Sequence, residues 1–287
     1  MTTASHQGVS RPSSTGYAID RRLIGRWLLR AAAALALAYI LMPLVAITWL
    51  SFFRQEIPAV PPQGYSLRWY ASIPGNDRFV SGFLLSLQLA VAATAIGLAV
   101  GVPAALGLSR LRFPGREMVN NLLLLPLVVP GVVLGTAIYV FHVETEIATG
   151  LPIIGSVSGL LSGHVLIVIP WIVRLVMASL AGFDQTLEEA AQNLGADRFT
   201  TFRRITLPAI LPGVVAGALF AFVASFGNLE MSLFLVGPGR TTLPIAILQY
   251  LEWKIDPSIA AVSVVQIALI AAAMLVTDRF VKISRVV

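Results

Sequence analysis

Residues 184–208 read D-Q-T-L-E-E-A-A-Q-N-L-G-A-D-R-F-T-T-F-R-R-I-T-L-P, a charged stretch set between two long apolar runs. Asp184 is placed to cap a helix by accepting hydrogen bonds from the free N–H groups of its first turn. Glu188 and Glu189 come early in that helix, near the positive end of its dipole. Nothing between Gln185 and Leu194 is Gly or Pro, and Gly195 follows as a left-handed terminator. Asp197 then starts a second short helix with Arg203 and Arg204 in its last turns. On that helix Phe199, Phe202 and Ile205 recur every third residue, so they share roughly one face. Aromatic side chains presented in this way need a cover. Two covers satisfy the physics: a surface on another protein, or the lipid interface with the basic residues among the headgroups.

The flanking runs define the solvent. Of 287 residues 57% are hydrophobic and 12% charged, against about 25% charged in a soluble domain. The chain is therefore expected to be an all-α, polytopic membrane protein. Six apolar runs, near 28–53, 80–108, 119–141, 160–181, 209–236 and 258–278, each reach the roughly twenty helical residues that cross a hydrocarbon core. Arg and Lys sort by side. Arg11, Arg21, Arg22, Arg26 and Arg30 precede the first run, and Arg110, Arg112 and Arg116 follow the second. Arg198, Arg203 and Arg204 follow the fourth, and Arg279, Lys282 and Arg285 the sixth. The opposite side holds only Arg54, Arg68, Arg78, Arg240 and Lys254. Basic loops stay in the cytoplasm, so both termini and the segment 182–208 are expected there. The net charge of +6 is thus topological and gives no support to a nucleic-acid partner.

Residues 1–20 are polar and rich in Ser and Thr, with no apolar period, and read as a disordered cytoplasmic tail before a single transmembrane domain over 21–287. A cleaved signal peptide does not fit, because the first apolar run is about twice the length of a signal core. Between the first two runs, Pro58, Pro61, Pro62, Pro74 and Gly75 break the longest outer loop. There Tyr65, Trp69 and Tyr70 suit a short interfacial helix. The absence of cysteine excludes disulfides, thiolate metal sites and Cys nucleophiles.

Small residues at four-residue spacing (Ala93, Gly97, Gly101 and Ala105; Ala209, Gly213, Gly217 and Ala221; Gly131 and Gly135) suit close helix packing. Ionisable groups at membrane depth are costly and often functional. Glu230, with Ser225, Asn228 and Ser232 nearby, marks a candidate solute path toward the outer end of the fifth run. Arg174, beside Trp171, is explained by snorkelling to the inner surface. His142, Glu144 and Glu146 fall where a short, solvated outer loop is expected, and His164 has no sequence-local partner. No G-x-x-x-x-G-K-[ST], H-E-x-x-H or G-x-S-x-G stretch occurs, so no catalytic, cofactor-binding or metal site is expected on this chain.

The spacing E-A-A-x3-G-x9-I-x-L-P, filled by Glu189, Ala190, Ala191, Gly195, Ile205, Leu207 and Pro208, resembles the cytoplasmic coupling loop of bacterial ABC importer permeases. Residues 237–244 (G-P-G-R-T-T-L-P) and the pair Asp256-Pro257 look like the spermidine/putrescine branch. The likeness runs from about Arg22 to the C-terminus and is strongest over 184–260. It implies an N-in/C-in, six-helix subunit of the type I importer permease fold, in a bacterial inner membrane. It also implies a second, homologous permease, a dimer of ABC ATPase subunits carrying the ATP, and a periplasmic or lipid-anchored substrate-binding protein. In that setting Glu188, Glu189, Ala190, Ala191, Gly195, Phe199, Phe202, Ile205, Leu207 and Pro208 form the ATPase-coupling surface. Gly227 and Asn228 stand where polyamine permeases of this group often carry acids, so amino-acid-like compounds, phosphonates and ferric ion remain open beside polyamines. The rival reading is a secondary transporter or channel subunit driven by an ion gradient, which gives no reason for the 184–208 pattern.

Overall fold

An unpaired backbone N–H or C=O in hydrocarbon costs several kcal/mol, so apolar runs close their hydrogen bonds internally as helices. In the computed structural model, which describes residues 16–281, six helices are long and apolar enough to cross a membrane. They are Gly25–Leu50, Asp77–Arg110, Gly131–Thr149, Val157–Ala181, Arg198–Phe226 and Ser258–Arg279. Among the described residues the only extended pairing is a single bridge, Phe53 to Tyr65.

Where the sequence suggests one domain over 21–287, packing divides the chain between Leu50 and Ser51. Helix α1 (Gly16–Leu50) is the described part of the first unit; its side chains from Arg26 to Val45 are exposed on every face. Residues 1–15 of the expected polar tail lie outside the described residues, and α1 already begins at Gly16. The second unit contains α2 (Arg68–Ser72), α3 (Asp77–Arg110), α4 (Arg116–Leu124), α5 (Gly131–Thr149) and α6 (Val157–Ala181). It continues with α7 (Thr186–Asn193), α8 (Arg198–Thr201), α9 (Leu207–Phe226), α10 (Glu230–Leu235), α11 (Leu243–Trp253) and α12 (Ser258–Val281).

Two spans differ from the lengths expected. The third does not run 119–141. A tight turn at Leu125–Leu127 ends α4, and Pro130, at φ −54° and ψ 135°, cannot continue a helix and starts α5 instead. Helix α5 then continues past 141 to Thr149, where Gly150 (φ +72°) closes it by donating to the Glu146 carbonyl. His142, Glu144 and Glu146 are therefore helical, not loop residues. The fifth span stops at Phe226 rather than 236; Gly227 ends α9, and the Asn228 Oδ1 accepts from the Met231 N–H (2.9 Å) to start α10.

The core is a three-helix contact of α3, α6 and α9, and the small-residue stripes make it. Ala93, Gly97, Gly101 and Ala105 are all buried on α3, and Gly213, Gly217 and Ala221 on α9, whereas Ala209 is exposed. Ile172 on α6 lies between the two stripes. A Cβ on Gly97 would come within 2.8 Å of Val168 Cγ2, and one on Gly217 within 3.1 Å of Ile172 Cα. Without those side chains the backbones approach closely enough for dense dispersion contact, the main attraction between helices in lipid. Gly131 and Gly135 on α5 likewise receive Glu230 and Phe234 of α10, which brings the two interrupted spans side by side.

At the end remote from α7, Leu243 seats α11 on α3 by donating its N–H to the buried Ser86 Oγ (2.9 Å). Arg240 donates to the Gly155 carbonyl (2.9 Å) and joins two turns at that end. The buried Asp256 carboxylate accepts from the Tyr250 hydroxyl (2.8 Å) and the Ser258 N–H (2.9 Å), and pairs with Lys254 (3.1 Å).

Candidate functional site

The segment 184–208 folds as two short helices meeting at Gly195. Asp184 Oδ1 accepts from the Thr186 N–H (2.9 Å), and that bond holds its carboxyl below the usual carboxylate range. Gly195 takes φ +91°, its N–H reaching the Gln192 carbonyl (2.9 Å) and that of Ala196 the Ala191 carbonyl (3.0 Å). An L-residue avoids this conformation because its Cβ crowds the following carbonyl. Asp197 Oδ2 caps α8 by accepting from the N–H groups of Phe199 (3.1 Å) and Thr200 (3.4 Å), and its carboxyl is lowered chiefly by the bond with Thr200. From there the backbone does not turn away. Phe202–Thr206 forms a π-helical turn in which the Leu207 N–H reaches back to the Phe202 carbonyl. Pro208 explains the turn: it has no N–H to give the Arg204 carbonyl, so the helix widens locally instead of ending. Arg198–Phe226 is consequently one continuous rod.

Glu188 fastens α7 to that rod. Its Oε1 accepts from Arg110 Nη2, at the end of α3, and from Thr206 Oγ1, which is fully buried. The carboxylate is itself largely enclosed. Glu188 thus serves the interior of the loop rather than its outer surface. The outer surface is made by Leu187, Leu194 and Phe199, which are 52%, 90% and 69% exposed, with Glu189 and Ala190 exposed between them. Phe202, Ile205, Ala191 and Leu207 are half-buried, and Pro208 is exposed. The π turn changes the residue spacing, so Phe199, Phe202 and Ile205 do not present equally as an unbroken α-helix would make them do. Arg110, Leu187 and Leu194 were missed by the spacing argument; the apolar Leu187 and Leu194 on an otherwise polar helix were the available signal.

The candidate path residues part company. Ser225 is buried and bonded to His164 Nδ1 (2.7 Å), while His164 Nε2 meets Ser232 Oγ (3.1 Å). Ser232 donates to the Asn228 carbonyl (2.8 Å). With its proton so used, Ser232 must accept from Nε2–H, and Ser225 must donate to Nδ1. His164 thereby ties α6, the end of α9 and the start of α10 together. Ser225 and Asn228 are spent on holding the interruption of the fifth span. Glu230 is exposed, and its carboxylate lies against Gly131 at the start of α5. It is the acid at the paired helix breaks; Gly227, at the second break, is exposed, and the Gln266 amide lies near Gly227. Elsewhere, His142 Nε2 meets Ser162 Oγ (2.9 Å), and Glu146 Oε2 accepts from the N–H groups of Ile153 and Ile154 (2.9 and 2.8 Å). These side chains serve separate local structures. Arg174 is exposed, and Trp171 stacks on Phe220 with centroids 5.4 Å apart.

Residues 97–285, more than half of the chain, match the family model described as "Binding-protein-dependent transport system inner membrane component". The chain is 29% identical over 247 residues to the spermidine/putrescine transport system permease protein PotC of Escherichia coli K12, covering 86% of this chain and 91% of that one. It is 33% identical over 213 residues to the molybdenum transport system permease protein ModB of the same organism, covering 70% and 93%. Among solved structures, a bacterial ABC transporter involved in the import of the acidic polysaccharide alginate superposes with a TM-score of 0.70 at 17% identity, over 92% of this chain and 98% of that chain. The fold is thus that of ABC importer permeases, and the six apolar helices are membrane spans. The chain belongs to the family of inner-membrane permease components of binding-protein-dependent transport systems.

Proposed function

We propose that this chain is one permease of an ATP-driven importer, paired with a second, homologous permease, with both termini and the 184–208 loop in the cytoplasm. The observation that carries the reading is the construction of that loop: an apolar tip (Leu187, Leu194, Phe199) standing on a rod continuous with the fifth span. The tip fits a groove on an ATPase subunit. Glu188, bound to Arg110 and Thr206, keeps tip and rod from moving separately. Hydrolysis of ATP on the partner supplies the free energy; this chain offers no phosphate-binding loop of its own. What these residues do is convert displacement of the tip into rocking of α9 against α3 and α6, opening the pathway alternately to a substrate-binding protein and to the cytoplasm.

Glu230 is the residue best placed to meet the solute, and a carboxylate there favours a small, amine-bearing cargo. The named cargoes of the relatives differ, spermidine and putrescine for one and molybdenum for another, so the reading rests on the side chain. Glu230→Gln should raise the KM for uptake of an amine at least tenfold, and an unchanged KM removes Glu230 from the path.

Because the chain has no cysteine, a single Asn193→Cys substitution gives a clean topological test. Labelling by an impermeant maleimide only after the cytoplasmic face is opened is expected. Labelling of intact spheroplasts overturns the orientation and the coupling role together. In the assembled transporter, Phe199→Asp should abolish co-purification of the ATPase, an outcome that an ion-gradient transporter or channel would not show.

A further inference from the structure

At the same end of the bundle as α7, between the end of α3, the start of α4 and α6, lies a cleft of about 670 Å³. Its polar wall carries Arg112 and Arg116; its apolar wall is Leu108, Phe113 and Met177. Arg112 lies two residues beyond α3 and Met177 four residues before the end of α6, so the cleft opens at the level where a span meets the membrane surface. The described ion pairs involve neither arginine. Glu117 also reaches the rim but pairs with neither of them. Gly115 precedes α4 and gives it no side-chain cap, and the N–H groups of Glu117 and Met118 find no acceptor among the described residues. Arginine forks and free first-turn N–H groups together suit a phosphate oxygen. Asn120 lines the same cleft.

We propose that this cleft holds the headgroup of an anionic glycerophospholipid. The phosphate lies on Arg112 and Arg116, and an acyl chain covers Leu108, Phe113 and Met177. Soluble glycerol phosphate shares the polar chemistry, but it would leave the apolar wall uncovered; that wall favours the lipid. Basic pockets between spans at the cytoplasmic surface select such headgroups. The site is independent of the cargo and would fix the α3–α4 corner, from which Arg110 reaches Glu188.

The test is native mass spectrometry of the purified, assembled transporter, delipidated and then titrated with phosphatidylglycerol, phosphatidylcholine or glycerol 1-phosphate. The wild type should retain phosphatidylglycerol with at least tenfold preference over phosphatidylcholine. Arg112→Gln with Arg116→Gln should weaken retention about tenfold, Arg112→Lys with Arg116→Lys should largely preserve it, and Arg279→Gln should leave it unchanged. Should the double glutamine chain fail to assemble, the lysine pair and the choice between the two lipids still decide the matter. Undiminished retention by the double glutamine chain, equal binding of both lipids, or displacement by glycerol 1-phosphate at the lipid's own concentration each overturns the proposal.

Discussion

The two ends of α9 are built in opposite ways. At Leu207 the backbone runs on through a π turn into α8, so the elbow and the span are one rod. At Gly227 the helix stops, and α10 starts afresh at Glu230. Each end has its own tie, Glu188 at the first and His164 at the second, and each has an exposed group that the tie leaves free: Phe199 at the elbow and Glu230 at the break. A continuous helix resists bending and transmits a push. An interrupted one offers backbone and a carboxylate at membrane depth, where polar groups are kept only when they serve a path or a partner. In the function proposed above, one element joins a lever to a gate.

The rod depends most on its middle. Gly217→Leu would drive a side chain into the backbone of Ile172, whose Cα lies 3.1 Å from the added Cβ; backbone cannot rotate away as a side chain can. A destabilisation of about 3 kcal/mol follows, the upper part of the usual range for overpacking. It reads as a large fall in the thermal midpoint of the purified protein with loss of uptake, and a variant as stable as wild type would show that the α6–α9 contact does not hold the rod.

Glu188→Ala comes next. It removes the acceptor shared by Arg110 and Thr206 and should cost about 2 kcal/mol, the scale of a bond to a charged group. Insertion should be preserved while uptake falls about tenfold. A double-mutant cycle between Glu188→Ala and Arg110→Ala should give a coupling energy above roughly 0.5 kcal/mol. Strict additivity would mean that the elbow is held by something else.

His164→Phe tests the other end. The ring is nearly isosteric, but Ser225 and Ser232 lose their partner inside the bundle, at a cost of about 1–2 kcal/mol. Because the elbow is untouched, ATPase co-purification should remain at wild-type level while solute affinity changes. Equal damage to both readouts would erase the distinction between lever and gate.

What the sequence made legible was whatever obeyed a local rule. Asp184, Gly195 and Asp197 fall where capping and left-handed termination place them. The four-residue stripes on α3 and α9 are buried as their spacing requires, apart from Ala209 at the elbow. Long-range partners escaped: nothing near His164 announces serines 61 and 68 positions away, and nothing near Glu188 announces Arg110, 78 positions back. The breaks at Pro130 and Gly227 carry a signal in Pro126, Pro130 and Gly227-Asn228, but the apolar composition runs on through both and hides where the helices end. The π turn was the subtlest case. Its cause, Pro208, lies in the motif, yet an i, i+3 count assumes an ideal helix through it.

The smallest predicted effect separates the two membrane faces by pH. Asp256 is buried, and burial alone would raise its carboxyl; the bonds from Ser258, Tyr250 and Lys254 outweigh this and leave it below the ordinary value. A carboxyl lowered in the folded state contributes stability that is fully present above the unfolded value of about 4. That contribution is lost as pH falls through the lower folded value. The difference in thermal midpoint between wild type and Asp256→Asn should therefore stay constant from about pH 8 to pH 5 and shrink only below about pH 4. Asp197, the exposed cap of the elbow, is lowered too, but solvent screening leaves it little to lose. Acid applied to both faces should consequently loosen the α11–α12 junction around Asp256 before the elbow. Hydrogen exchange would reveal this as protection lost first at Tyr250 to Ala261, and earlier loss at Arg198 to Leu207 would reverse the ranking of the two ends.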